Sequence, residues 1–151
     1  MPAVSWSGAA AVAALAAGIL GALQVAVMGR YGARIGTLEA LAFTAALGAL
    51  LAAVVLLVSR RSLSGYADAV SVPKWLWLGA VFGIFIVGAI TLAGAKIGAT
   101  ATVALLIAGQ LGMALVVDRF GWFGIEKVAV SWPRVAGVAL LAVGAFLTLR
   151  R

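Results

Sequence analysis

Apolar residues run in stretches of about twenty, and short clusters between them hold most of the Lys, Arg, Asp and Glu. The runs cover residues 8–29, 38–58, 75–93, 99–117 and 134–149. A helix rises 1.5 Å per residue, so about 20 apolar residues cross the hydrocarbon core of a bilayer. The pattern therefore predicts an all-α integral membrane protein, with residues 1–151 forming one five-span domain. The first run lacks a basic n-region and exceeds a usual signal-peptide core, so it is expected to be a retained helix.

The breaks between runs carry their own signals. Arg30–Gly36 is predicted as a short basic turn, with Thr37 as N-cap of the second span. Arg60–Lys74 and Asp118–Arg134 are predicted as loops. Ser71-Val72-Pro73-Lys74 and Ser131-Trp132-Pro133-Arg134 repeat one helix-entry pattern, with proline where its missing N–H costs nothing. Gly94–Gly98 is predicted as a tight break around Lys96. Five spans put the termini on opposite sides, with the two longer loops on the N-terminal side.

Composition sharpens this picture. Hydrophobic residues make up 66% of the 151 and charged residues 10%, too little polar surface to cover a water-soluble domain. No Cys or His is present, which removes thiolate chemistry and Cys/His zinc sites. There is no phosphate loop and no acid pair, so the chain is read as no enzyme, with no cofactor or metal. The net charge of +7 sits at the ends of apolar runs, as headgroup anchors do, and does not point to nucleic acid.

The charge distribution bears on orientation. Arg60, Arg61, Lys74, Arg119, Lys127 and Arg134 fall on the N-terminal face; Arg30, Arg34, Lys96, Arg150 and Arg151 fall on the other. Six against five hardly biases insertion. This leads to the expectation of dual topology, or of pairing with an oppositely oriented paralogue. Trp6, Trp75, Trp77, Trp122 and Trp132 all fall on the N-terminal face, so an antiparallel pair would supply aromatic belts to both leaflets.

Few polar groups lie deep. Gln24 is about 8 Å inside one face and Gln110 about 10 Å inside the other by the helical rise. Inverting one copy of the chain brings its Gln110 level with Gln24 of the other. Both amides are therefore candidates for a substrate pathway, together with Met28, Thr44 and Glu39. The plain alternative for each glutamine is an interhelical hydrogen bond, worth about 1 kcal/mol. Glu39 is the only acid inside a span, and it sits in a first helical turn where the dipole favours a solvated carboxylate. No central carboxylate is available for a proton or cation antiporter. Gly79 and Gly83 lie four apart, as do Gly94 and Gly98. With Gly109 and Gly112 they are candidates for close helix packing, within one copy or between two.

These residues carry a resemblance. Leu23–Gln24, the Arg30-to-Gly36 segment, Trp77-Leu78-Gly79 with Gly83, Lys96-Ile97-Gly98, Gly109–Gln110, and Asp118-Arg119-Phe120-Gly121 with Gly124 recur in order over nearly the whole chain. The chain resembles the YdcZ-type five-helix branch of the drug/metabolite transporter superfamily. It departs from that pattern at Met28, Ala95 and Ala114, where similar chains often carry Asn, Pro and Ser, so its pathway is less polar. The resemblance implies a multi-pass inner (plasma) membrane exporter of small metabolites or drug-like molecules. It also implies inverted-repeat logic, since larger relatives look like two such units fused in opposite orientations. The expected partners are the lipid bilayer, an inverted second copy or paralogue, and an unidentified small-molecule substrate. A dual-topology small-ion channel and a non-transporting scaffold subunit remain alternatives.

Overall fold

The computed structural model describes residues 4–62 and 64–149, with side chains from residue 8 onward. The side chain of Trp6 and the Arg150–Arg151 pair lie outside the described residues. Among the described residues six α-helices follow one another: α1 (Val4–Ile35), α2 (Thr37–Arg60), α3 (Ser64–Ser71), α4 (Leu78–Ile97), α5 (Ala99–Phe120) and α6 (Trp132–Thr148). Short 3₁₀ turns cover Lys74–Trp77 and Trp122–Gly124. Four helical segments are long and apolar enough to cross a membrane: Gly8–Ile35, Thr37–Arg60, Lys74–Ile97 and Ala99–Phe120. The apolar helix α6 is shorter, at 17 residues.

Several boundaries differ from the sequence expectation, each for a local reason. The Arg30–Gly36 segment is not a turn. Arg30, Tyr31 and Arg34 continue α1 to Ile35, and only Gly36, at φ 103°, breaks it. Thr37 is not the N-cap of α2. Gly36 takes that position, with no side-chain cap bond. Its N–H donates to the Gly32 carbonyl at 3.0 Å, closing α1, and its own carbonyl accepts from the Ala40 N–H at 3.1 Å, opening α2. One residue thus ends one helix and starts the next. The Gly94–Gly98 break shrinks in the same way to Gly98, at φ 82°, whose carbonyl accepts from the Thr102 N–H at 3.2 Å. The two junctions share a sequence: Gly32-Ala33-Arg34-Ile35-Gly36-Thr37 and Gly94-Ala95-Lys96-Ile97-Gly98-Ala99. Both turning glycines combine positive φ with ψ near 150–166°, a region that is essentially closed to residues with a Cβ.

The Arg60–Lys74 segment, predicted as a loop, contains helix α3. Ser62 Oγ accepts from the Ser64 N–H at 3.0 Å at its start, and the Trp77 indole N–H donates to the Ala69 carbonyl at 3.2 Å, tying α3 to the entry of α4. Pro73 immediately precedes the Lys74–Trp77 turn, and α6 opens at Ser131 with its proline in the first turn. Arg61 ends α2 in the left-handed region, at φ 52°, where glycine is usual. Gly121 ends α5 in the same region, its N–H donating to the Val117 carbonyl at 2.8 Å.

The chain divides into two compact units. One contains residues 27–95: the end of α1, α2, α3 and α4 as far as Ala95. Its core is small and tightly drawn. Met28, Gly29, Ala40, Ile90 and Thr91 are buried. A Cβ on Gly29 would lie 2.7 Å from the Gly94 carbonyl carbon and 2.9 Å from the Ala95 nitrogen, so the α1 and α4 backbones touch there. A Cβ on Gly32 would lie 2.5 Å from Thr91 Cγ2. Lipid gives helices no hydrophobic reason to associate, so contacts of this kind, with dispersion between close backbones, hold the pair. The Tyr31 and Phe43 rings meet edge to face at 6.2 Å. The other unit contains residues 1–26 and 96–151, with α5 packed along α6. Val25, Ala101, Thr102 and Ala145 are buried in it.

Candidate functional site

The residues singled out from sequence fall into separate settings. Met28 and Thr44 come together. Met28 is buried, and the Thr44 hydroxyl donates to its Sδ at 3.4 Å. A thioether is a weak acceptor, so the pair is an almost apolar contact between α1 and α2 that satisfies a hydroxyl. Thr91 and Thr102, also buried, instead bond back to their own helices, donating to the Val87 and Gly98 carbonyls, each at 2.7 Å.

Glu39 is exposed in the first turn of α2. Its carboxylate folds back over Gly36, so that a Cβ there would fall on Oε2. The acid therefore lies against the positive end of the helix dipole. Gly36 is thus constrained twice, by φ and by this carboxylate.

Gln24 and Gln110 are both exposed, on α1 and α5. Among the described residues no hydrogen bond reaches either side chain. Within the described residues both amides are left unsatisfied, on helices of membrane-spanning length. The candidate packing glycines share this property. A Cβ at Gly79, Gly83, Gly98, Gly109 or Gly112 would meet no atom within 4 Å among the described residues. Gly98 is a junction residue, as its φ requires. The close approach inside the chain uses Gly94, which the sequence reading had named, against Gly29, and Gly32 against Thr91. Gly29 and Gly32 lie three apart, a spacing that a search for small residues four apart passes over.

Within residues 1–26 and 96–151, a groove of about 540 Å³ lies between α1, α5 and α6. Ala22, Thr100, Val103, Ile107, Leu140 and Gly144 are among its lining. Apart from the Thr100 hydroxyl it is apolar, and neither glutamine lines it. A second groove of about 380 Å³ runs between α5 and α6 and ends at Asp118 and Arg134, whose side chains pair at 3.5 Å. The sequence reading had assigned α6 no part in any cavity, yet it lines both.

Comparison with known sequences supplies the family. Residues 9–147 match the family described as "Putative inner membrane exporter, YdcZ". The chain belongs to the YdcZ family. It is 35% identical over 106 residues to inner membrane protein YdcZ of Escherichia coli (strain K12), covering 67% of this chain and 70% of that protein. No solved structure matches. With helices of spanning length, this YdcZ-family chain is a multi-pass inner-membrane protein. At the coarse level its family is one of membrane exporters, which are transporters rather than enzymes.

Proposed function

We propose that this chain exports small metabolites or drug-like molecules by alternating access of a dimer whose two copies are oppositely oriented in the inner membrane. The observation that carries the reading is the pair of exposed, unsatisfied amides, Gln24 and Gln110, on helices of spanning length. An amide facing hydrocarbon is costly, so it calls for a partner outside the chain. An inverted copy brings Gln110 level with Gln24 by the depths worked from the helical rise. Gly109 and Gly112, open within the chain, allow close approach beside Gln110. In this reading α6 is the fifth span. Its 17 residues rise about 25 Å, within the range of a short span flanked by Trp132.

The substrate pathway runs along α1 and α5, lined by Gln24 and Gln110 at the interface of the inverted copies, as in transporters built from inverted repeats. Met28 and Thr44, held against each other between α1 and α2, and Glu39 at the start of α2 are further candidates for contact with substrate. The test is disulfide cross-linking in membranes of chains that carry both Gln24→Cys and Gln110→Cys. Cross-linking between copies supports the dimer, and cross-linking only within a single copy refutes it. Reporters fused to both termini supply a second test. One fixed orientation of the chain expressed alone would exclude a homodimer of inverted copies.

A further inference from the structure

The α5–α6 groove has a chemistry of its own, independent of the Gln24–Gln110 proposal. Its walls are apolar, formed by Ala114, Leu115, Gly137, Val138 and Leu141 among others. Asp118 and Arg134 close one end. From Leu111 to Asp118 the slot follows α5 for about 10 Å by the helical rise. The charged end lies where Asp118 and Arg134 leave the apolar stretches, so it falls at headgroup level, with Trp122 and the strongly exposed Trp132 nearby in sequence.

The ion pair there is loose. At 3.5 Å it sits at the long limit of a hydrogen bond, and the two side chains keep 33% (Asp118) and 49% (Arg134) of their surface exposed. The guanidinium has five N–H donors, and the carboxylate accepts at several lone pairs. Among the described residues, that one bond is all the two side chains make. A cation and an anion side by side above an apolar slot complement a ligand carrying an anion and a cation above an apolar chain.

We infer that this groove is a phospholipid site selective for a headgroup with both a phosphate and a primary ammonium, such as phosphatidylethanolamine. The phosphate bonds to Arg134, the ammonium donates to Asp118, and one acyl chain lies in the slot. A primary ammonium is distinguished from the trimethylammonium of phosphatidylcholine because only the former has N–H groups to donate. Phosphatidylglycerol offers no cation.

Native mass spectrometry of the delipidated protein, titrated with phosphatidylethanolamine, phosphatidylcholine or phosphatidylglycerol, tests the assignment. Retention of the ethanolamine lipid should exceed that of the other two about fivefold, the scale of one partly exposed charge-assisted hydrogen bond. Asp118→Asn should bring it down to the level of phosphatidylglycerol. Gly137→Leu offers an independent check. A Cβ at Gly137 meets nothing within 4 Å, so the larger side chain fills the slot and leaves the ion pair in place. That variant should keep its melting temperature and lose retention of all three lipids. Free phosphoethanolamine at millimolar concentration should not displace the bound lipid; displacement would assign the groove to a soluble phosphate ester instead. Equal retention of the three lipids by the unaltered chain, or undiminished retention by Gly137→Leu, overturns the inference.

Discussion

The contact between Gly32 and Thr91 makes a quantitative prediction. In Gly32→Ala the new Cβ would lie 2.5 Å from Thr91 Cγ2, about 1 Å inside ordinary van der Waals contact. Thr91 is fully buried, and its χ1 is held because its hydroxyl donates to the Val87 carbonyl at 2.7 Å. The methyl cannot swing away without breaking that bond, so α1 and α4 must part locally. Overpacking of this kind costs about 1–3 kcal/mol, against a helix-propensity gain for alanine of up to about 1 kcal/mol. Thr91→Ser removes the clashing methyl and keeps the hydroxyl. The pair should therefore be non-additive: Gly32→Ala destabilises the chain, and Thr91→Ser in the same chain rescues it, with a coupling energy of about 1–2 kcal/mol. Gly29→Ala should show no such rescue, because its new Cβ meets backbone rather than a side chain. Unfolding in mixed micelles, followed by far-UV circular dichroism during sodium dodecyl sulfate titration, measures all four corners of the cycle. Coupling below about 0.5 kcal/mol would refute the claim that this methyl sets the helix separation.

Four further outcomes follow from other parts of the molecule. Gly109→Leu with Gly112→Leu, both open within the chain, should leave helicity and melting temperature unchanged while reducing cross-linked dimer in membranes. Gln24→Leu combined with Gln110→Leu should abolish flux in proteoliposomes and leave membrane insertion intact; retained flux would remove both amides from the pathway. Arg61→Gly should raise stability by about 1 kcal/mol, since the left-handed φ of 52° strains any residue with a Cβ, and an unchanged unfolding midpoint would count against that strain. Thr44→Val should cost less than about 1 kcal/mol, because the hydroxyl it deletes bonds only to a thioether.

Four helices of spanning length were legible in the sequence because a bilayer imposes a length, and runs of about twenty apolar residues have few other uses in a chain this poor in charge. The helix ends were less so. Arg30 and Lys96 read as loop residues by charge, yet both stand inside helices. A long basic side chain can reach the headgroups from within a helix, so charge alone does not end one. The single-residue junctions at Gly36 and Gly98 depend on backbone angles, and composition does not distinguish a glycine that turns from one that packs. Gly94 packs and Gly98 turns, four residues apart in one motif. Helix α3 was missed because eight residues, about two turns, are too few to establish a helical period. At the candidate site, sequence reasoning could find Gln24 and Gln110 as isolated amides. That Met28 is sealed against Thr44, and that α6 lines the grooves, depends on which helix faces which, and hydropathy holds no record of that.

The one-residue junctions also have a mechanical meaning. A single peptide unit spans less than 4 Å, so the end of α1 and the start of α2 cannot slide apart, and the same holds for α4 and α5. Each pair is hinged at one achiral point that can pivot and cannot stretch. In the proposed export cycle, motion between the end of α1 and the start of α2, or between the end of α4 and the start of α5, is therefore rotation about Gly36 or Gly98. A substitution that stiffens either glycine should then slow the cycle even where the resting fold tolerates it.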